Sequence, residues 1–167
     1  MELPAPWKNG GGVTHEVATF PVDASIEDFK WRLSIADVDA AAPFSLLNES
    51  DRILTVLVGR MELIVGHEQR VVTLQPGQPF AFPGEAAVAG RPVEGRMRNF
   101  NVLVRRDVWH ARVEPWCHGL PTTGLRIILA TEACGILQPL DAAMLSEGEE
   151  PPSDFVGLQV TLMVATR

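Results

Sequence analysis

Short apolar runs rich in Val, Ile, Leu and Phe recur along the chain between Gly, Pro, Asn and Asp punctuation, and long helical periodicity is scarce. The pattern predicts antiparallel strands over 13–20, 31–37, 52–58, 60–65, 69–74, 79–82, 86–91, 98–105, 108–114, 124–130, 133–137 and 157–164. Such regular spacing, punctuated by 14 Gly and 13 Pro, favours a sandwich or barrel over a doubly wound fold. One short helix is expected over 25–29, with Ser25 capping and Asp28 reaching back. Residues 147–154, with their acids, Gly148 and the Pro151-Pro152 pair, should be an exposed loop. The strand, Gly59-Arg60 turn and strand of 53–63 are echoed in 125–136, and residues 74–76 in 137–139. Two echoes in one order suggest a doubled β unit.

Alternation within two strands carries the first functional signal. In 31–36 the apolar Trp31, Leu33 and Ile35 take one face and leave Arg32 and Ser34 on the other. In 98–105 Phe100, Val102 and Val104 oppose Asn99, Asn101 and Arg105. One reading makes each polar set the solvent face of a half-buried strand. The other makes them a binding surface, since guanidinium forks, a hydroxyl and amides suit a carboxylate, and Lys and Glu are absent from both sets.

A second signal is Trp7-Lys8-Asn9-Gly10-Gly11-Gly12, immediately before the first predicted strand. A flexible turn accounts for it, and so does a tight crossing where side-chain-free backbone lets Lys8, Asn9 and main-chain N–H groups reach a pocket. Lys8 precedes the glycines and a strand follows them, so neither a P-loop nor a dinucleotide fingerprint fits.

Composition narrows the classes. At 167 residues one compact unit is expected, with one core or two fused halves. A net charge of −7, with 14 Lys+Arg against 21 Asp+Glu, argues against nucleic acid. No apolar run exceeds 53–58, far short of a membrane span, and the start of the chain lacks a signal-peptide pattern, so the cytoplasm is expected. Cys117 and Cys134 are expected as buried, reduced thiols. His15, His67, His110 and His118 form no H-x-H pair, so neither metal nor cofactor is expected. There is no G-x-S-x-G elbow, and the neighbours Cys117 and His118 would point to opposite faces of a strand. Asp51-Arg52 reads either as an ion pair holding a pocket wall or as an exposed turn pair.

The motifs at 7–16 (Trp-Lys-Asn-Gly-Gly-Gly-Val-Thr-His-Glu), 29–36 (Phe-Lys-Trp-Arg-Leu-Ser-Ile-Ala), 43–45 (Pro-Phe-Ser), Asp51-Arg52 and 100–106 (Phe-Asn-Val-x-Val-Arg-Arg) together resemble the HutD/Ves family. The resemblance implies an all-β fold of two fused cupin-like barrels, a bicupin, without metal. The motif-bearing half would span 1–110 and a shorter half 111–167. It also implies a regulatory or ligand-sensing role beside bacterial histidine utilisation, with a pocket using Lys8, Asn9, Arg32, Ser34, Phe44 and Asn101. Arg32 would be the principal anion anchor. A small carboxylate such as urocanate or a formylated or formimino glutamate is the expected partner. The chain departs from the family pattern at Leu47-Asn48-Glu49-Ser50, where Phe-Pro-Gly is usual, and at Asn99, where Asp is usual. Losing an acid at 99 makes the local field more positive. Two other classes stay open: an isomerase or hydrolase using Glu16, His15 or Asp51 as acid or base, and a dimeric scaffold without ligand. A homodimer is expected on the general ground that strand edges need covering.

Overall fold

The computed structural model describes residues 5–7 and 10–166. Its strands are β1 (Ala5–Pro6), β2 (Gly12–Phe20), β3 (Trp31–Val38), β4 (Ala42–Pro43), β5 (Ser50–Val58), β6 (Met61–Val65) and β7 (Arg70–Leu74). There follow β8 (Pro79–Pro83), β9 (Val88–Pro92), β10 (Met97–Arg105), β11 (Trp109–Pro115), β12 (Leu125–Ala130), β13 (Ala142–Leu145) and β14 (Gly157–Val164). They form a central six-stranded sheet, β1-β2-β3-β10-β5-β8, and two four-stranded sheets, β4-β9-β6-β7 and β11-β14-β12-β13. Every ladder between these strands is antiparallel. The all-β expectation therefore holds, as three open sheets that each end in two edge strands.

Strand parity explains the layering. Trp31, Leu33 and Ile35 of β3 and Phe100, Val102 and Val104 of β10 join a core with Ile127, Leu129, Leu158, Val160 and Leu162 of the β11-β14-β12-β13 sheet. The opposite face of the central sheet supplies Ala36, Val38, Leu54, Val56 and Met97 to a second core with Met61, Leu63 and Val88 of the β4-β9-β6-β7 sheet. Both faces of the central sheet are thus covered, and neither polar row on β3 and β10 faces open solvent. At Val17 the β2–β3 ladder slips by one residue. The extra residue turns Glu16, opposite Ser34, and Ala18, opposite Leu33, to different faces.

Four expectations change. Residues 25–29 form a single turn: Ser25 Oγ donates to Asp28 at 2.7 Å and the Ser25 carbonyl accepts from Phe29 N–H at 3.1 Å. Ser25 Oγ caps Glu27 N–H at 3.2 Å, but Asp28 meets the Ser25 hydroxyl and not its N–H, Phe29 is fully buried and β3 begins two residues later, so no helix propagates. Residues 133–137 make no strand, because Cys134 and Leu137 exchange two backbone bonds of 2.9 Å around Gly135 at φ 56°. That tight turn ends the echo of 53–63, and β13, which the sequence pattern does not predict, pairs with β12 instead. Cys117 is exposed, on the connection after β11, while Cys134 is buried and its Sγ donates to Asp154 at 3.2 Å. The short β1 and β4 are also additions, each held by one neighbouring strand. No helix among the described residues is long and apolar enough to cross a membrane.

Candidate functional site

A cavity of about 580 Å³ opens between the central sheet, the 43–47 segment and the N-terminal crossing. The even face of β3 gives it Arg32, Ser34 and Ala36, β10 gives Asn101 and Leu103, and β5 gives Arg52. Phe44, Ser45 and Leu47 form the opposing wall, with Trp7 and Thr14 at one end and Ile26 at its edge. Four of the six expected site residues, Arg32, Ser34, Phe44 and Asn101, therefore converge on one space. Lys8 and Asn9 lie outside the described residues.

The glycine crossing is steric in origin at Gly12. A Cβ there would stand 2.3 Å from the Asp37 carbonyl oxygen and 3.4 Å from the Trp7 ring. Trp7 is in turn fixed by Nε1–H donating to Thr14 Oγ1 at 2.8 Å. Close approach of backbone thus sets one wall of the cavity.

Arg52 is the residue whose importance the sequence pattern understates. Its side chain is 6 % exposed, with the guanidinium 5.0 Å from the Phe44 ring centre and 5.7 Å from that of Phe82. One Nη2 bond reaches the Ser45 carbonyl at 3.3 Å, and Nε is buried without a partner. Burial pushes its pKa down to about 10, so it stays charged at neutral pH. Asp51-Arg52 follows neither of its two readings: both residues lie inside β5 with Arg52 buried, so they form no exposed turn pair, and they make no ion pair with each other. Successive strand residues face opposite sides, and Asp51 instead accepts from Arg106 Nε at 2.9 Å. Parity within β5 is the available signal, for it places Arg52 in the row of Leu54 and Val56, which are both fully buried.

Arg32, by contrast, already has an anion: its Nη2 lies 2.9 Å from Glu16 Oε2, both side chains being 19 % exposed. Asn101 donates Nδ2–H to Asn99 Oδ1 at 2.7 Å, Asn99 points its own amide N–H toward Met97 Sδ at 3.8 Å, and Asn101 Oδ1 is left buried without a partner. Ser34 is 5 % exposed, and its hydroxyl makes no hydrogen bond among the described residues. Arg105, grouped with the two Asn by parity, does not reach the cavity. It stacks on Phe29 at 4.9 Å and donates to the carbonyls of Glu27, Phe29 and Asn48.

Of the three acid–base candidates only Glu16 shares the cavity's face, and it is paired. His15 Nε2 lies 3.4 Å from Asp37, in register with Ile35 on the other face, and Asp51 belongs to the Arg106–Glu85 group. Among the described residues no three His, Cys, Asp or Glu side chains come together as a metal site.

A family model described as HutD matches residues 3–145 of the chain. The structure is similar to HutD from Pseudomonas fluorescens SBW25, solved in a formate condition, at a TM-score of 0.82 and 27 % identity, over 98 % of this chain and 95 % of that one. It is also similar to the conserved protein of unknown function PA5104 from Pseudomonas aeruginosa PAO1, at a TM-score of 0.80 and 28 % identity, over 96 % of this chain and 93 % of that one.

Proposed function

This chain belongs to the HutD family, and we propose that it is a metal-free small-carboxylate-binding protein with a regulatory or ligand-sensing role in the cytoplasm. The observation that carries the reading is Arg52: a buried guanidinium on a cavity wall with an orphaned Nε and no carboxylate partner among the described residues. A charge so placed is costly unless an anion completes it. A carboxylate entering the cavity supplies that anion, with Ser34 and Asn101 on the same wall to orient it and Phe44 and Trp7 to flank its apolar part. The volume suits a small organic acid. Two guanidiniums, the Asn101 amide and the hydroxyls of Thr14, Ser34 and Ser45 make a lining with two positive charges that repels a metal cation.

Anion affinity is centred on Arg52 in this reading, with Arg32 held by Glu16 as an adjustable second contact. Intermediates of histidine breakdown, urocanate or a formylated or formimino glutamate, fit the size and charge. The two layers on either face of the central sheet are read as cupin-like halves of a bicupin, 1–110 and 111–167, with the ligand in the first.

Thermal-shift screening of small carboxylates against their neutral amides, with and without chelator, tests the proposal. A native-state ligand at 100 times its Kd stabilises by about 2.7 kcal/mol. Acids should raise the melting temperature and amides should not, with chelator making no difference. Indifference to every acid, or turnover of one into product, overturns the reading.

A further inference from the structure

Two sheet edges flank one shallow cleft of about 260 Å³, lined by Ile53, Pro79 and Ala81 on one side and residues 111–114, Arg112 and Glu114 among them, on the other. The edges are β8 and β11, and they are built differently. The bond from Gly84 N–H to the Ser50 carbonyl, 2.7 Å, continues the β5–β8 ladder and sets its even residues toward β5. Positions 79, 81 and 83 then face outward, and two of them are Pro, which cannot donate to a further strand. In β11 the bonds Ala165 N–H to Val108 O and Trp116 N–H to Gly157 O, both 2.9 Å, continue the ladder to β14 at its two ends. They set the even residues of β11 toward β14 and turn the N–H and C=O groups of Ala111 and Val113 to the open side. No partner meets them there among the described residues. An edge of this length without Pro or Lys before Pro115 is a template for another strand.

We propose that β11 pairs antiparallel with β11 of a second copy of this chain about a two-fold axis, in the register that sets Val113 opposite Val113. Charge selects this register. It places Arg112 beside Glu114 of the second copy, and Glu114 beside the second copy's Arg112, in the close non-hydrogen-bonded positions of the ladder. Sliding by one residue in each copy sets Arg112 against Arg112 in one direction and Glu114 against Glu114 in the other. Arg112 is exposed with no ion pair among the described residues, and Glu114 keeps one buried carboxylate oxygen without a partner. The pairing joins two four-stranded sheets into one of eight strands and covers the cleft beside β8.

Sedimentation equilibrium from about 1 to 200 μM tests it, with the wild type expected to approach twice the 18.2 kDa chain mass. Arg112→Glu and Glu114→Arg should each weaken association about tenfold or more, since two attractions become two repulsions. The double reversal R112E/E114R should restore it. Ala111→Pro removes an outward N–H without touching the β14 ladder and should give a monomer that still melts cooperatively. A wild type monomeric throughout, or a dimer indifferent to the single reversals, overturns the proposal.

Discussion

The guanidinium of Arg52 stands 5.0 Å from the centre of the Phe44 ring, and no carboxylate among the described residues answers its charge. Cation–π contact on Phe44 and Phe82 compensates part of the desolvation, and one carbonyl compensates a little more. In the proposed function a bound carboxylate answers the remainder, and on that proposal the residue's contribution to binding separates from its contribution to folding.

Arg52→Met should therefore leave stability unchanged or raise it by about 1–4 kcal/mol, as replacement of buried charge by apolar volume often does. Carboxylate affinity should fall roughly 10- to 150-fold, the loss of one charge-assisted bond. Denaturant unfolding and calorimetric titration read the two effects on one variant. A large stability loss with unchanged affinity would mean that Arg52 is a structural residue.

Glu16→Gln should have the opposite sign on binding. It frees the Arg32 guanidinium now 2.9 Å from Glu16 and removes a negative charge from the cavity's face, so carboxylates should bind about 5-fold tighter or more. Arg32→Ala alone strands Glu16 and should weaken binding, and the double variant E16Q/R32A should lie between. Non-additivity of about 0.5–3 kcal/mol in that cycle, measured by titration, is the expected signature of the pair.

Gly12→Ala tests the crossing. Its new methyl would meet the Asp37 carbonyl oxygen at 2.3 Å, a backbone atom that cannot swing aside. The expected cost is about 1–3 kcal/mol in denaturant unfolding, with weakened ligand binding because the Trp7 wall shifts. An unchanged unfolding midpoint would show that the crossing is slack.

Acid stability should depend on Asp37. Arg98 bonds it through both guanidinium prongs, Nε to Oδ1 at 2.7 Å and Nη2 to Oδ2 at 2.9 Å. These bonds, aided by His15, hold the carboxyl below its ordinary value of 3.8 against the opposing pull of burial. A depressed pKa means that the unfolded chain takes up the proton first. The stabilisation is therefore complete above the ordinary carboxylate range and is lost as pH falls through the lowered folded value. Asp37→Asn should flatten the acid limb of a stability–pH curve between about pH 5 and 2 while lowering stability at pH 7.

The sequence alone determined the all-β class, because alternation within 31–37 and 98–105 and the Gly and Pro punctuation are local properties that any burial must respect. It also determined which side chains travel together: parity puts Arg32 with Ser34 and Asn99 with Asn101 whatever lies opposite. Only the tertiary structure decided what faces those rows, because the 43–47 wall and the β4-β9-β6-β7 sheet fold over the polar face while 109–164 returns over the apolar one, long-range events with no local signature. Charge partnership was decided there too. Glu16 reaches Arg32 because a bulge at Val17 resets the parity of β2, and Asp51 leaves Arg52 because neighbours on a strand diverge and Arg106 waits on the other side. The local pattern at 25–29 and 133–137 satisfied turns as readily as a helix or a strand. The buried Phe29 and the Cys134–Leu137 backbone bonds settled each in favour of the turn.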